Sequence, residues 1–202
     1  MFNDRLLVGG LFVAGLAVLG YSTFGPFVSP VMAQEDGPGP NLVIEVSGEA
    51  NGQIVIDLAS DVAPKHVEQI SALAREGQYD GVVFHRVIDG FMAQTGDVEF
   101  GKSGGDLSSA GMGGSSRPDL PAEFSSLSFD RGVVGMARAM DPNSANSQFF
   151  IMFAPAPHLD GQYTIVGRVI SGMDVVDAIK RGQGRNGEVD GPDIMAKVTV
   201  TE

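Results

Sequence analysis

The chain has 202 residues, no cysteine and a formal net charge of -12, with an isoelectric point near 4.5. The length suits one domain with a sizeable core, and the missing thiols exclude disulfides, thiolate metal ligands and a cysteine nucleophile. So acidic a chain repels phosphate backbones, which argues against nucleic acid as a partner.

The first 33 residues read as a unit. A short polar start ending at Arg5 leads into an uncharged run from Leu6 to Tyr21, then through Pro26 and Pro30 to the small-residue site Val31-Met32-Ala33. This predicts a secretory signal cut after Ala33, and so an exported, periplasmic protein. The alternative is an uncleaved anchor in the inner membrane, since Asp4 weakens the positive start and the run lies far from Ala33; membrane contact would then be confined to residues 6–21. Residues 34–41, rich in Gly and Pro, read as a flexible linker, and residues 42–202 as the folded domain.

Within that domain, Leu42 to Val46 and Gln53 to Leu58 predict a hairpin across Gly48-Glu49-Ala50-Asn51-Gly52. Pro64 to Glu76 predicts a helix with Val67, Ile70, Leu73 and Ala74 inward, Pro64 in its first turn and Gly77 as its stop. His66 is assigned to the solvated side of that helix.

Phe84 to Asp97 reads as two short apolar strands around a bend at Gly90, with Met92 and Gln94 on one face by the two-residue period. Arg86, among Phe, Val and Met, is the unusual residue. A cation pressed on apolar surface is paired with a carboxylate, snorkelling or at work. His85 falls on the opposite strand face, where packing is expected rather than catalysis.

Val98 to Pro121, rich in Gly and Ser, predicts a surface excursion. Its Gly111-Met112-Gly113-Gly114 is no phosphate loop, because no Lys-Ser/Thr follows and no strand-to-helix setting surrounds it. Val133 to Ala137 and Gln148 to Met152 read as strands separated by a Pro-Asn-Ser turn, and Tyr163 to Val169 as another after the turn Leu159-Asp160-Gly161. Gly172 to Arg181 predicts a second helix with Met173, Val176 and Ile179 inward and Lys180 and Arg181 complementing its negative end. Ile194 to Val200 is a last strand. Several strands and two distant helices without βαβ alternation indicate α+β or a closed sheet.

Four ordered motifs sharpen this: Phe84 to Asp97, Gly135-Met136-Ala137-Arg138, Ser147-Gln148-Phe149-Phe150-Ile151, and Leu159 to Val169. From about Leu42 to Thr201 the chain resembles the cyclophilin family of peptidyl-prolyl cis-trans isomerases. The resemblance implies a mainly β fold, a closed eight-stranded antiparallel barrel capped by two helices, with the binding groove on its outer face. It implies rotation about X-Pro bonds, a folding-assistance role on exported proteins, proline-containing polypeptides as partners, a monomer, and neither metal nor other cofactor.

By the same resemblance Arg86 is the catalytic residue, and Phe91, Met92, Phe150 and Leu159 build the proline pocket. Gln94 and Gln148 hold substrate backbone groups, and Ala137 and Arg138 form the edge against the substrate main chain. Arg138 departs from the usual asparagine, and one extra residue precedes Gln148. His158 stands where many members have tryptophan and Tyr163 where many have histidine, a pattern of bacterial members that implies weak inhibition by the family's cyclic peptide drug. Two other readings remain. A barrel that grips proline-containing partners without turnover is the rival, and a serine hydrolase is disfavoured because no G-x-S-x-G elbow exists.

Overall fold

The computed structural model describes residues 36–201, so the expected signal or anchor lies outside the described residues. The elements are β1 (Asn41–Ser47), β2 (Gly52–Leu58), α1 (Pro64–Arg75), β3 (Val82–Val83), β4 (Arg86–Ile88), β5 (Met92–Thr95), β6 (Val133–Met136), β7 (Phe149–Met152), β8 (Ile165–Ser171), α2 (Met173–Ala178) and β9 (Ile194–Thr201). The strands form one antiparallel sheet in the order β3-β9-β1-β2-β8-β6-β7-β5-β4.

Nine strands stand where eight were expected. The two at the margins of the sheet, β3 and β4, are successive parts of one segment interrupted at Phe84-His85. Counted as one strand, they bring the number to eight. At the interruption the Phe84 N–H turns to Asp193 O at 2.9 Å and the Val83 N–H to Gly101 O at 2.8 Å, so the ladder partner changes within the segment.

Strand alternation sorts the side chains into two apolar clusters. Leu42, Ile44, Ile54, Ile56, Ala93, Phe149 and Ile151 point into the main core, which α1 covers with Val67, Ile70 and Leu73. The opposite faces of β5 and β7 carry Met92, Phe150 and Met152 into a second cluster with Phe129, Ala156, Leu159 and Ile165. Burial on both faces explains why β7 reads as an unbroken apolar run. The second cluster is the floor of the site described below.

His66 corrects an expectation. It is fully buried, its Nδ1 lying 2.7 Å from Glu123 Oε2. The same carboxylate accepts the Lys65 and His66 backbone N–H groups at 3.2 Å each. Ala63 has no side-chain oxygen to cap α1, so a carboxylate from a distant loop takes over the orphan donors of the first turn.

The second helix is also shorter than expected. It ends at Ala178, with Ile179 extended behind it. Lys180 therefore does not complement its end, whereas Arg181 Nη1 still donates to the carbonyl of Ile179, the residue that caps it. The Lys180 N–H donates to the buried Asp193 at 2.7 Å, and Arg181 lies 4.1 Å over the Phe153 ring and 3.0 Å from Asp89. The described residues contain no helix long and apolar enough to cross a membrane.

Candidate functional site

Four neighbouring strands place the central residues in one row. Arg86 on β4 pairs with Gln94 on β5, Gln94 with Phe150 on β7, and Phe150 with Gly135 on β6. Their side chains share the outer face of the sheet. A two-residue ladder period brings Met92 onto the same face beside Gln94.

Gly135 is part of the design. A Cβ there would stand 2.6 Å from Phe150 Cζ and 2.6 Å from Phe129 Cε1, and its absence lets these rings stack at 5.8 Å. Tyr163 meets the other side of Phe150 edge-on at 5.9 Å. Phe150 is thus fixed between two aromatic neighbours.

Above this floor opens a hollow of about 190 Å³ lined by Arg86, Phe91, Met92, Gln94, Ala137, Arg138, Phe150, Leu159 and Tyr163. Drug-sized ligands occupy pockets of roughly 300–1,000 Å³, so this slot fits a single compact side chain. Phe91, Met92, Phe150 and Leu159 supply its apolar side, while Arg86, Gln94, Arg138 and Tyr163 bring polar groups to it.

Arg86 is half-buried, and burial lowers its pKa from the ordinary arginine value. Among the described residues no carboxylate pairs with it. Its Nε donates to Asn186 O at 2.9 Å and its Nη1 to Gln94 Oε1 at 3.0 Å, with Met92 Sδ 3.9 Å away. A guanidinium has five N–H donors in a rigid fork. With Nε and Nη1 held from the side, the Nη2 donors have no acceptor among the described residues.

A hydrogen-bonded row continues from there. Gln94 Nε2 donates to Gln148 Oε1 at 2.9 Å, and Gln148 Nε2 donates to Gly111 O at 3.0 Å and Gly113 O at 2.8 Å. Both N–H bonds of the Gln148 amide are thereby engaged. Gln94 keeps one free N–H.

The row ends at Asp97, which is fully buried. Its carboxylate accepts the N–H groups of Glu99 and Phe100 at 3.1 and 2.9 Å and of Gly111 and Gly113 at 2.7 and 3.0 Å. The loop amides that would greet a phosphate are thus turned inward to the protein's own carboxylate. His85 lies beneath: a Cβ at Gly111 would stand 3.0 Å from its ring.

Gln148 instead lines an adjoining hollow of about 310 Å³ with Gly111, Met112, Gly113, Ser144 and Asn146; Gln94, Ala137 and Arg138 border both hollows. The Ala137 N–H is taken by Gln148 O at 2.9 Å, while the Ala137 carbonyl has no donor among the described residues. Arg138 folds its guanidinium over Tyr163 at 4.4 Å and donates to Gln162 O at 3.0 Å and Ala139 O at 2.9 Å. The segment between Arg138 and Gln148 contains a turn closed by Asp141, whose O accepts from Ser144 Oγ at 2.6 Å. His158 is exposed on a single 3-10 turn and stacks on the far side of Phe91 at 5.8 Å.

Nine of the expected site residues therefore meet in one slot, while Gln148 sits beside it and His158 behind its wall. Sequence reasoning missed Asn186, Asp97 as a hub, and Gly135. For Asp97 a signal existed, since a Gly-rich tract leaves many backbone N–H groups in need of an acceptor.

Comparison with known proteins gives a family match. Residues 42–200 match the family described as cyclophilin type peptidyl-prolyl cis-trans isomerase. A probable peptidyl-prolyl cis-trans isomerase of Brucella suis is 60% identical over 153 residues, covering 74% of this chain and 78% of that one. A cyclophilin from Hirschia baltica shares the fold with a TM-score of 0.67 at 27% identity, over 82% of this chain and 75% of that one. A Cryptosporidium parvum cyclophilin type isomerase, crystallised in the presence of the dipeptide Ala-Pro, gives a TM-score of 0.69 at 26% identity, over 80% of this chain and 99% of that one.

Proposed function

Because the chain belongs to the cyclophilin-type peptidyl-prolyl cis-trans isomerases, we propose that it rotates X-Pro bonds by seating proline in the slot and donating from Arg86 to the prolyl nitrogen. The barrier, roughly 18–20 kcal/mol, comes from amide resonance. In the planar ground state the nitrogen lone pair is delocalised and accepts poorly; in the twisted state it is localised and accepts well. A donor aimed there binds the transition state in preference to the ground state.

One observation carries this reading: the Nη2 donors of Arg86 are uncommitted beside a slot with an aromatic and aliphatic floor, sized for one compact side chain. Phe91, Met92, Phe150 and Leu159 supply the apolar walls. The free N–H of Gln94 and the open Ala137 carbonyl supply polar contacts for the substrate backbone, and Arg138 shapes the rim through Tyr163. No bond is made or broken, so neither nucleophile nor metal takes part.

The biological setting follows from residues 1–33. The chain is exported, with residues 34–41 as linker and residues 42–202 as the isomerase domain acting as a monomer on exported polypeptides whose folding waits on proline. Uncatalysed isomerisation takes tens to hundreds of seconds. Mass spectrometry of the exported protein tests this: a start at Gln34 supports cleavage after Ala33, and a start at Met1 supports the anchor.

Exchange NMR on a proline peptide, comparing the protein with Arg86→Ala, tests the mechanism. Rate enhancement lost with binding retained is expected; equal rates would remove Arg86 from the reaction. Binding without enhancement in the unaltered protein would instead support the non-catalytic module.

A further inference from the structure

The loop of residues 182–189 closes the outer edge of β4. Val87 N donates to Gly187 O at 2.7 Å, Gly182 N to Val87 O at 2.9 Å, and Val189 N to His85 O at 3.2 Å. Within it lies Asn186-Gly187, one of two Asn-Gly pairs in the chain. The Asn186 carbonyl is the group that holds Arg86 Nε, at 2.9 Å.

We propose that Asn186 is a site of spontaneous deamidation, and that its isoaspartyl product switches off the Arg86 donor. This rests on the reading of Arg86 given above. The Gly187 nitrogen attacks Asn186 Cγ and loses its proton, and ammonia departs, leaving a five-membered imide. Water then opens the ring at either carbonyl. Opening at Cγ gives aspartate with the original backbone. Opening at the backbone carbonyl gives isoaspartate, in which the chain runs through Cγ and the former Asn186 C=O becomes a free carboxylate.

That carboxylate is the atom group now facing Arg86. The amide oxygen at 2.9 Å from Nε is replaced by an anion, which draws the guanidinium into an ion pair. The backbone also lengthens by one methylene next to Gly187, where there is no slack. A Cβ on Gly187 would already stand 2.5 Å from Ile88 and 2.8 Å from Val87 O. Both effects act on β4 at the residue that carries the donor.

Local geometry favours attack here. Asn186 is exposed, and neither its side chain nor the Gly187 N–H has a hydrogen-bond partner among the described residues. Gly187 is itself buried, but glycine puts no side chain between its nitrogen and Asn186 Cγ. The other pair differs: Asn51 Nδ2 is tied to Gly48 O at 2.7 Å, and Gly52 is already paired in β2.

The test is incubation of the purified protein at mildly alkaline pH and 37 °C, sampled over weeks. Enzymatic methylation of isoaspartyl carboxylates and peptide mapping read the modification, and the Arg86 Nε–H resonance and turnover of a proline peptide read its effect. Isoaspartate is expected at 186 well before 51. The Nε–H resonance should shift and kcat should fall in proportion to the isoaspartyl fraction, with KM nearly constant. Asn186→Ser, compared with its own activity at time zero, should keep its activity over the same interval.

Three results would overturn the proposal: no isoaspartate at 186, isoaspartate with an unmoved Nε–H resonance, or equal activity loss in Asn186→Ser. The modification is read chemically, so its failure is distinct from failure of the Arg86 mechanism, which the fresh Arg86→Ala comparison reads alone.

Discussion

Arg86 and Gln94 face each other across the β4–β5 ladder, and Arg86 Nη1 donates to Gln94 Oε1 at 3.0 Å. That bond and the Asn186 carbonyl leave Nη2 as the free end of the fork. Gln94→Ala should lower kcat/KM by roughly tenfold, the effect of one charge-assisted hydrogen bond, with most of the loss in kcat. Gln94→Glu should also slow turnover, since a carboxylate holds the guanidinium as an ion pair and dulls its donor. Steady-state kinetics on a proline peptide check both.

Arg86→Lys should fall nearly as far as Arg86→Ala. An ammonium lacks the planar fork that bonds Asn186 and Gln94 while presenting a third nitrogen forward. The expected loss in turnover is about 10²–10³, the scale seen when one preorganised transition-state donor is removed. A lysine variant within tenfold of the unaltered protein would show that charge alone suffices.

Asp97→Ala strips the acceptor from four loop N–H groups. Stability should drop by about 1–3 kcal/mol, the penalty for stranded buried donors, read by urea unfolding. Amide exchange should quicken at Gly111 and Gly113 before the rest of the barrel. Because Gln148 also holds this loop, proline-peptide affinity should weaken with it.

Gly135→Ala should destabilise by about 1–3 kcal/mol through overpacking and displace Phe150 from its stack. Thermal unfolding measures the first effect. Peptide KM measures the second, because Phe150 is the floor of the slot.

Burial lowers the His85 pKa; Asp97 opposes that shift and Arg86 adds to it. A histidine that resists protonation when folded stabilises fully above its unfolded pKa, whose ordinary value is 6.5. That stabilisation is lost as pH falls from there through the depressed folded value. Unfolding free energy should therefore decline on acidification across this window. His85→Leu should decline less over the same window, and parallel slopes for the two proteins would exclude His85 as the source.

What the sequence revealed followed the range of the interactions. Arg86, Met92 and Gln94 were legible because a strand period and a short motif place them on one face. His66 was misplaced although its spacing to Ile70 and Leu73 puts it on the core face; a titratable side chain was read as solvated, and its partner Glu123 comes from a loop 57 residues away. The Asn186 carbonyl was invisible because a backbone oxygen 100 residues from Arg86 has no residue type to betray it. The second helix was overextended because its apolar spacing continues to Ile179, which is buried beyond the helix end.

The segment from Val82 to Ile88 supplies both margins of the sheet, and it also carries the guanidinium. Turnover is therefore a gauge of whether those margins remain joined. Any ligand, solvent or substitution that parts this seam should silence the enzyme while the hairpin of β1 and β2, on the other side of the molecule's strand order, still holds its register.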